Sequence, residues 1–237
     1  MRPREPHEDR LHLEFDPDAS DQTLVQSLLS KAGQFGHVAT ISGKQWYPLD
    51  TRLDVDPSRT HGTGSNLLHV DYLAHESPPR YIGLVCLRPD PGGGGRTILA
   101  RFRDAVATLG ADERASLREQ VFNYFYDPTG AMFGPALNRF GILPSSNDEF
   151  VRFTEKMLVG DRFNPKLEVS DVTDRHRGAL RRLTLALNKN TDEFLLTRGQ
   201  AVLFDQRLWA HGRQALAPNQ HALSPDTRRL LIQCYVH

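Results

Sequence analysis

The chain has 237 residues, 39% of them hydrophobic, and can bury roughly 70 to 75% of its unfolded surface, so neither disulfides nor structural metals are needed to hold it together. Lys plus Arg and Asp plus Glu are equal at 29 each, and blocks of like charge are absent, which leaves no electrostatic footprint for nucleic acid or an anionic membrane. A small-molecule partner, a functional metal if any, and a single domain over 1–237 are the resulting expectations.

The first ten residues are polar and lack the apolar stretch of a signal peptide. No later run approaches the roughly 18 apolar residues of a membrane span, the longest being Tyr81 to Leu87. A soluble, cytoplasmic protein is expected. Cys86 and Cys234 both sit in apolar, strand-like stretches, which fits buried reduced thiols better than a disulfide framework.

Residues 20–33 read as an amphipathic helix, with Ser20 as N-cap, Leu24, Val25, Leu28, Leu29 and Ala32 on one face, and Gly33 as terminator. Small and polar residues from Gly62 to Asn66 mark a loop, and Leu67 to Asp71 reads as a short strand. After Pro78-Pro79, Tyr81 to Leu87 is an apolar run of the kind buried on both faces, closed by the glycine loop at 91–95. Residues 101–165 change character, with helical patterns near 102–109 and 112–122 and then a loop-rich stretch. This reads as an inserted lid over about 101–180, placed to cover a substrate. The alternation of Leu183, Leu185 and Leu187 with polar or small residues predicts a strand, followed by others at Ala201 to Phe204 and Arg229 to Val236. The expected fold is mainly β with helices: a double-stranded β-helix, or jelly roll, with a helical and loop insertion.

In a strand, residues i and i+2 share a face, so His69 and Asp71 can aim an imidazole and a carboxylate at one centre. Two histidines and one carboxylate on one face of a metal leave three positions open, as non-haem iron oxygenases require, whereas zinc would take the same ligands tetrahedrally and keep one water. Ligand type alone does not separate the two. The apolar setting Leu-Leu-His-Val-Asp favours a metal, because burying both groups unpaired would cost about several kcal/mol each. His61 and His75 flank the pair in polar, turn-like stretches and are the competing candidates.

The pattern resembles the taurine dioxygenase and clavaminate synthase-like Fe(II)/2-oxoglutarate oxygenases. The resemblance rests on His69-Val-Asp71, Pro78-Pro79, the strand at 82–88, and the glycine loop ending at Thr97, 28 residues after His69 (97 − 69). It extends over the segment Gly199 to Arg213 containing His211, and over Arg228-Arg-Leu-Leu-Ile-Gln233. It implies iron held by His69, Asp71 and His211, with 2-oxoglutarate and O2 as co-substrates. Thr97 and Arg229 would hold the far carboxylate of 2-oxoglutarate, Arg229 by a bidentate clamp. Arg229 is preferred to Arg228 because the family's arginine lies four before a substrate-facing position, here Gln233.

The implied reaction is hydroxylation coupled to decarboxylation of 2-oxoglutarate to succinate and carbon dioxide, with desaturation, epoxidation and ring closure left open. Asp71 sets the chain apart from the halogenases of this fold. Gln233 stands where sulfonate-type members often carry a second arginine, which argues against taurine-like substrates. The Leu-Arg-Pro-Asp-Pro run at 87–91 and the Asp205 to Arg213 turn resemble the clavaminate-like branch, which implies amino acids or natural-product intermediates, free or carrier-tethered, as substrates. Asn66, Asp205 and Gln233 are the candidate substrate contacts. A zinc-dependent hydrolase on the same triad and a non-catalytic jelly-roll binding protein are the alternatives; oligomeric state is not legible.

Overall fold

A computed structural model of the chain describes residues 9–124, 133–144, 150–159 and 171–237. Nine strands form two antiparallel sheets: β1 (Arg10–Glu14), β7 (Gln200–Asp205), β4 (Tyr81–Arg88), β9 (Leu230–Val236) and β2 (Tyr47–Asp50) in one, and β3 (Asn66–His69), β8 (Trp209–Arg213), β5 (Thr97–Arg101) and β6 (Thr191–Phe194) in the other. Two facing sheets of this order make the expected jelly roll.

Strand β4 explains its own composition. Ile82, Leu84 and Cys86 point between the sheets, toward Leu99, Val202, Phe204 and Leu231. Tyr81, Val85 and Leu87 point outward, beneath helix α1 (Asp21–Ala32). A strand covered on both faces has no polar side to alternate with. Gly83 is needed at this crossing, since a Cβ there would lie 2.7 Å from Cys234 Sγ. Helix α1 is capped as expected: Ser20 Oγ accepts from Thr23 N at 3.1 Å, and Leu24, Val25, Leu28 and Ala32 are buried against β4 and β9. Both cysteines are free and buried, with burial pushing Cys86 up to about 11 and Cys234 up to about 12.

The region expected to be an insertion supplies α2 (Phe102–Ala107), α3 (Ala111–Arg118) and the short α4 (Lys156–Val159). Its segments 125–132, 145–149 and 160–170 lie outside the described residues, and with them much of the expected lid. The strand predicted around Leu183 to Leu187 is instead part of α5 (Asp174–Lys189). Its buried residues are His176, Ala179, Leu180, Leu183, Thr184 and Leu187, spaced at three and four, whereas Leu185 is 70% exposed. The two-residue spacing of these leucines matches a strand; in the helix Leu183 and Leu187, four apart, share the buried face with Ala179 and Leu180 one turn earlier, and Leu185 points away. Helix α5 packs with α2 and α3 in a separate apolar cluster that includes Leu68 and Ala100 from β3 and β5.

The two periods predict opposite mutant behaviour. Leu183→Ala should destabilise the fold by about 2–5 kcal/mol and Leu185→Ala by no more than about 0.5 kcal/mol in urea unfolding. Equal losses at both positions would contradict the helical packing.

Candidate metal and co-substrate site

A cavity of about 670 Å³ opens between the sheets, and His69, Asp71, His211, Thr97, Arg229, Asn66 and Gln233 all line it. Asp205 does not: its carboxylate, 3% exposed, is held at the β7–β8 turn by Arg80 Nε at 3.0 Å and Arg207 Nη2 at 2.8 Å. Its position in the sequence suggested a substrate contact; the structure makes it a turn anchor.

His69 ends β3 and faces His211 across the β3–β8 ladder, their rings 4.2 Å apart. The register shifts between Asn66 and His69, so that a step of three along β3 matches a step of two along β8 (Asn66 opposite Arg213, His69 opposite His211). A bulge of this kind re-aims a side chain, and here it turns both Asn66 and His69 into the cavity while Leu68 enters the helical cluster. Asp71 lies just beyond the strand, not within it as expected. Val70 N still donates to Phe153 O at 2.9 Å, and Tyr72 then takes a left-handed φ of 56°. Gln206, 1% exposed, holds this corner by accepting from Asp71 N at 2.8 Å.

The carboxylate of Asp71 accepts Gln233 Nε2 at 2.9 Å and Tyr235 Oη at 2.7 Å, both on Oδ2. His69 Nε2 is 3.3 Å from Oδ1 and His211 Nε2 is 3.6 Å from Oδ2. One donor atom from each of the three residues lies within 4.8 Å of the others, the sole such cluster among the described residues. Burial would raise the Asp71 carboxyl, but the two imidazoles and their hydrogen bonds hold it well below the usual carboxylate range. Burial and the field of His69 lower His211, favouring the neutral ring that ligates a metal. His69 Nδ1 meets Leu67 O at 2.7 Å, which fixes the ring with Nε2 facing the centre. Burial, then the adjacent Asp71 charge, push the Tyr235 phenol well above its ordinary 10, so it stays a donor. The donor set fits a divalent metal with open positions.

The competing histidines also reach the cavity but are engaged: His61 Nδ1 lies 2.7 Å from Asp50 Oδ1, and His75 Nδ1 meets Gly134 O at 3.0 Å. Arg228 is drawn away, its Nε donating to Gln220 O and Leu223 O. Arg229 is 7% exposed and lines the cavity, and among the described residues no hydrogen bond or ion pair reaches its guanidinium. Burial lowers it to about 10, so it remains a cation at neutral pH. Thr97, 4% exposed at the start of β5, presents a hydroxyl to the same cavity. A buried cation without a partner costs several kcal/mol unless an anion joins it, which fits a carboxylate co-substrate.

Sequence reading missed Tyr235, Gln206 and Arg213. Tyr235 had a signal: on β9, Leu231 and Tyr235 face the inter-sheet core while Ile232, Cys234 and Val236 face α1, so Arg229 and Gln233 share parity with the inner face.

The family model for taurine catabolism dioxygenase TauD, TfdA matches residues 27–235, and the chain belongs to that family. It is 28% identical over 162 residues to an L-asparagine oxygenase of Streptomyces coelicolor, covering 65% of this chain and 44% of the relative. To the dioxygenase str8 of Strobilurus tenacellus it is 27% identical over 229 residues, covering 93% and 52% respectively. The chain thus spans about half the length of these curated relatives. Among solved structures, asparagine oxygenase with Fe(II), 2S,3S-3-hydroxyasparagine and succinate superposes with a TM-score of 0.76 at 20% identity, covering 96% of this chain and 74% of the other. The non-haem iron oxygenase OrfP with Fe, succinate and (3S)-hydroxy-L-Arg gives 0.73 at 16% identity, covering 98% and 75%. Among the described residues no helix is long and apolar enough to cross a membrane.

Tyr235→Phe removes one of the two hydrogen bonds that Asp71 Oδ2 accepts from β9 and should weaken iron binding about tenfold with the fold retained, as read by metal titration. Unchanged affinity would mean that Asp71 is oriented without the phenol.

Proposed function

We propose that this chain is an Fe(II)/2-oxoglutarate-dependent dioxygenase that hydroxylates a small molecule, an amino acid or a natural-product intermediate, with release of succinate and carbon dioxide. The observation that carries the reading is a three-donor centre sharing one cavity with a buried guanidinium that no hydrogen bond or ion pair reaches among the described residues. A zinc hydrolase would use the first of these and leave the second unexplained.

His69, Asp71 and His211 are the iron ligands. An iron held by these three residues would supply the activation of 2-oxoglutarate and O2 that oxidises an unactivated carbon. Arg229 takes the far carboxylate through two parallel N–H donors, and Thr97 adds its hydroxyl. The inner position of both, between the sheets, keeps water from competing for that anion. Gln233 and Tyr235 orient the Asp71 carboxylate through their hydrogen bonds to Oδ2, so the predicted substrate role of Gln233 gives way to a positioning one. Asn66, whose amide faces the cavity with no protein partner among the described residues, is the remaining candidate for substrate contact. The amino-acid products named for the two structural neighbours, hydroxyasparagine and hydroxyarginine, support amino acids as the first substrates to screen.

Iron-dependent conversion of 2-oxoglutarate to succinate, with and without a panel of amino acids, tests the reading. Asp71→Ala should drop succinate formation to the rate without enzyme while circular dichroism is unchanged. Arg229→Ala should raise the Michaelis constant for 2-oxoglutarate at least tenfold. Normal turnover by Asp71→Ala, or an active zinc form that consumes no 2-oxoglutarate, would overturn it.

A further inference from the structure

Arg213 is the second buried guanidinium of the cavity. It extends from β8 two residues beyond His211, on the same side of the strand, and is 7% exposed. Its backbone pairs with Thr97 on β5 and with Asn66 on β3, so it sits between the residue proposed for the co-substrate and the one proposed for the substrate. Its Nη2 donates to Gly62 O and Gly64 O, both at 2.7 Å, while its Nε is buried with no partner. No carboxylate pairs with it among the described residues. Asp90, whose field reaches Arg213, accepts from Gly92 N, Ala217 N and Gln220 Nε2 instead. Arg213 and Arg229 are both buried in the wall of one cavity, and two like charges placed there repel each other.

The two carbonyls that Arg213 grips belong to a compact turn. Gly62 N donates to Arg59 O at 2.9 Å and Gly64 N to Pro57 O at 2.8 Å. The turn is tight enough that a Cβ on Gly62 would lie 2.3 Å from Asp56 O. Between its ends it carries Arg59, Thr60 and His61, which form part of the cavity wall. Arg213 therefore joins the cationic end of the cavity to the loop that walls its outer part.

We propose that Arg213 is a positioning residue that couples co-substrate binding to the order of the 56–64 loop. A carboxylate seated on Arg229 and Thr97 offsets the repulsion between the two guanidiniums, which steadies Arg213 on the Gly62 and Gly64 carbonyls and firms the wall on which the substrate rests. The coupling acts through charge and a backbone tether, and Arg213 need not touch the co-substrate. The inference rests on the co-substrate reading given above.

Amide hydrogen exchange on the iron-loaded protein without oxygen tests it, alongside calorimetry of 2-oxoglutarate binding. Adding 2-oxoglutarate should slow exchange across 56–64 about fivefold or more. Arg213→Gln keeps an N–H donor for the carbonyls but removes the charge; it should lose that protection increment and bind 2-oxoglutarate several-fold more weakly. Arg213→Lys, which keeps the charge, should retain most of the increment and guards against a general packing defect. Wild-type protein that binds 2-oxoglutarate with no change in the loop, or Arg213→Gln with a wild-type increment, would overturn the coupling while leaving the co-substrate site intact. Failure of wild-type protein to bind 2-oxoglutarate would sink both.

Discussion

The site depends on how one carboxylate is held. Asp71 stands where the end of β3, the turn between β7 and β8, and strand β9 meet, and each of these elements grips it. Gln206 takes its backbone N–H, Gln233 and Tyr235 take Oδ2, and His69 and His211 close around it from the β3–β8 ladder. Without these donors a carboxyl group buried between sheets would tend to protonate and lose its value as a ligand. With them it stays anionic, and the two imidazoles converge beside it through the bulge that turns β3.

A second constraint is the sign of the cavity wall. Arg59, Lys156, Arg213 and Arg229 line it, while Asp71 is the sole acid that does so among the described residues. Four cations to one acid, in a chain of zero formal net charge, concentrate positive potential in the cavity. It suits an anionic co-substrate, and it places the cationic end of the cavity where the glycine loop brings β5 and β9 together: a Cβ on Gly95, at φ 70°, would lie 3.0 Å from Arg229 Cδ.

Much of this was legible in the residue pattern. The jelly roll follows from short apolar strands at both ends of the chain, α1 from its cap and face, and the pairing of His69 with Asp71 from their spacing; His211 comes from the resemblance of the segment around it to the family. What escaped has physical reasons. The strand reading of Leu67 to Asp71 runs two residues past the end of β3 at His69, because the pattern does not reveal that a bulge uses up residues and that a turn, not the strand, aims Asp71. Helix α5 reads as a strand from Leu183, Leu185 and Leu187 alone, since their spacing is two; only Ala179, Leu180, Leu183 and Leu187 together show the helical face, with Leu185 off it. Gln206 and Arg213 act through backbone atoms of distant segments, and no local pattern announces such contacts. Tyr235 was within reach, since β9 buries its two faces against different partners and its polar residues all fall on one of them.

The central claim is that a metal and an anionic co-substrate occupy this cavity together, one on the His69–Asp71–His211 centre and the other shared between that centre and Arg229. Calorimetric titration of 2-oxoglutarate under anaerobic conditions, into protein with and without Fe(II), tests it most directly. Chelation adds to the carboxylate clamp, so affinity should be at least about tenfold higher with iron, with one site per chain. The same affinity in the presence and absence of iron would contradict a shared site.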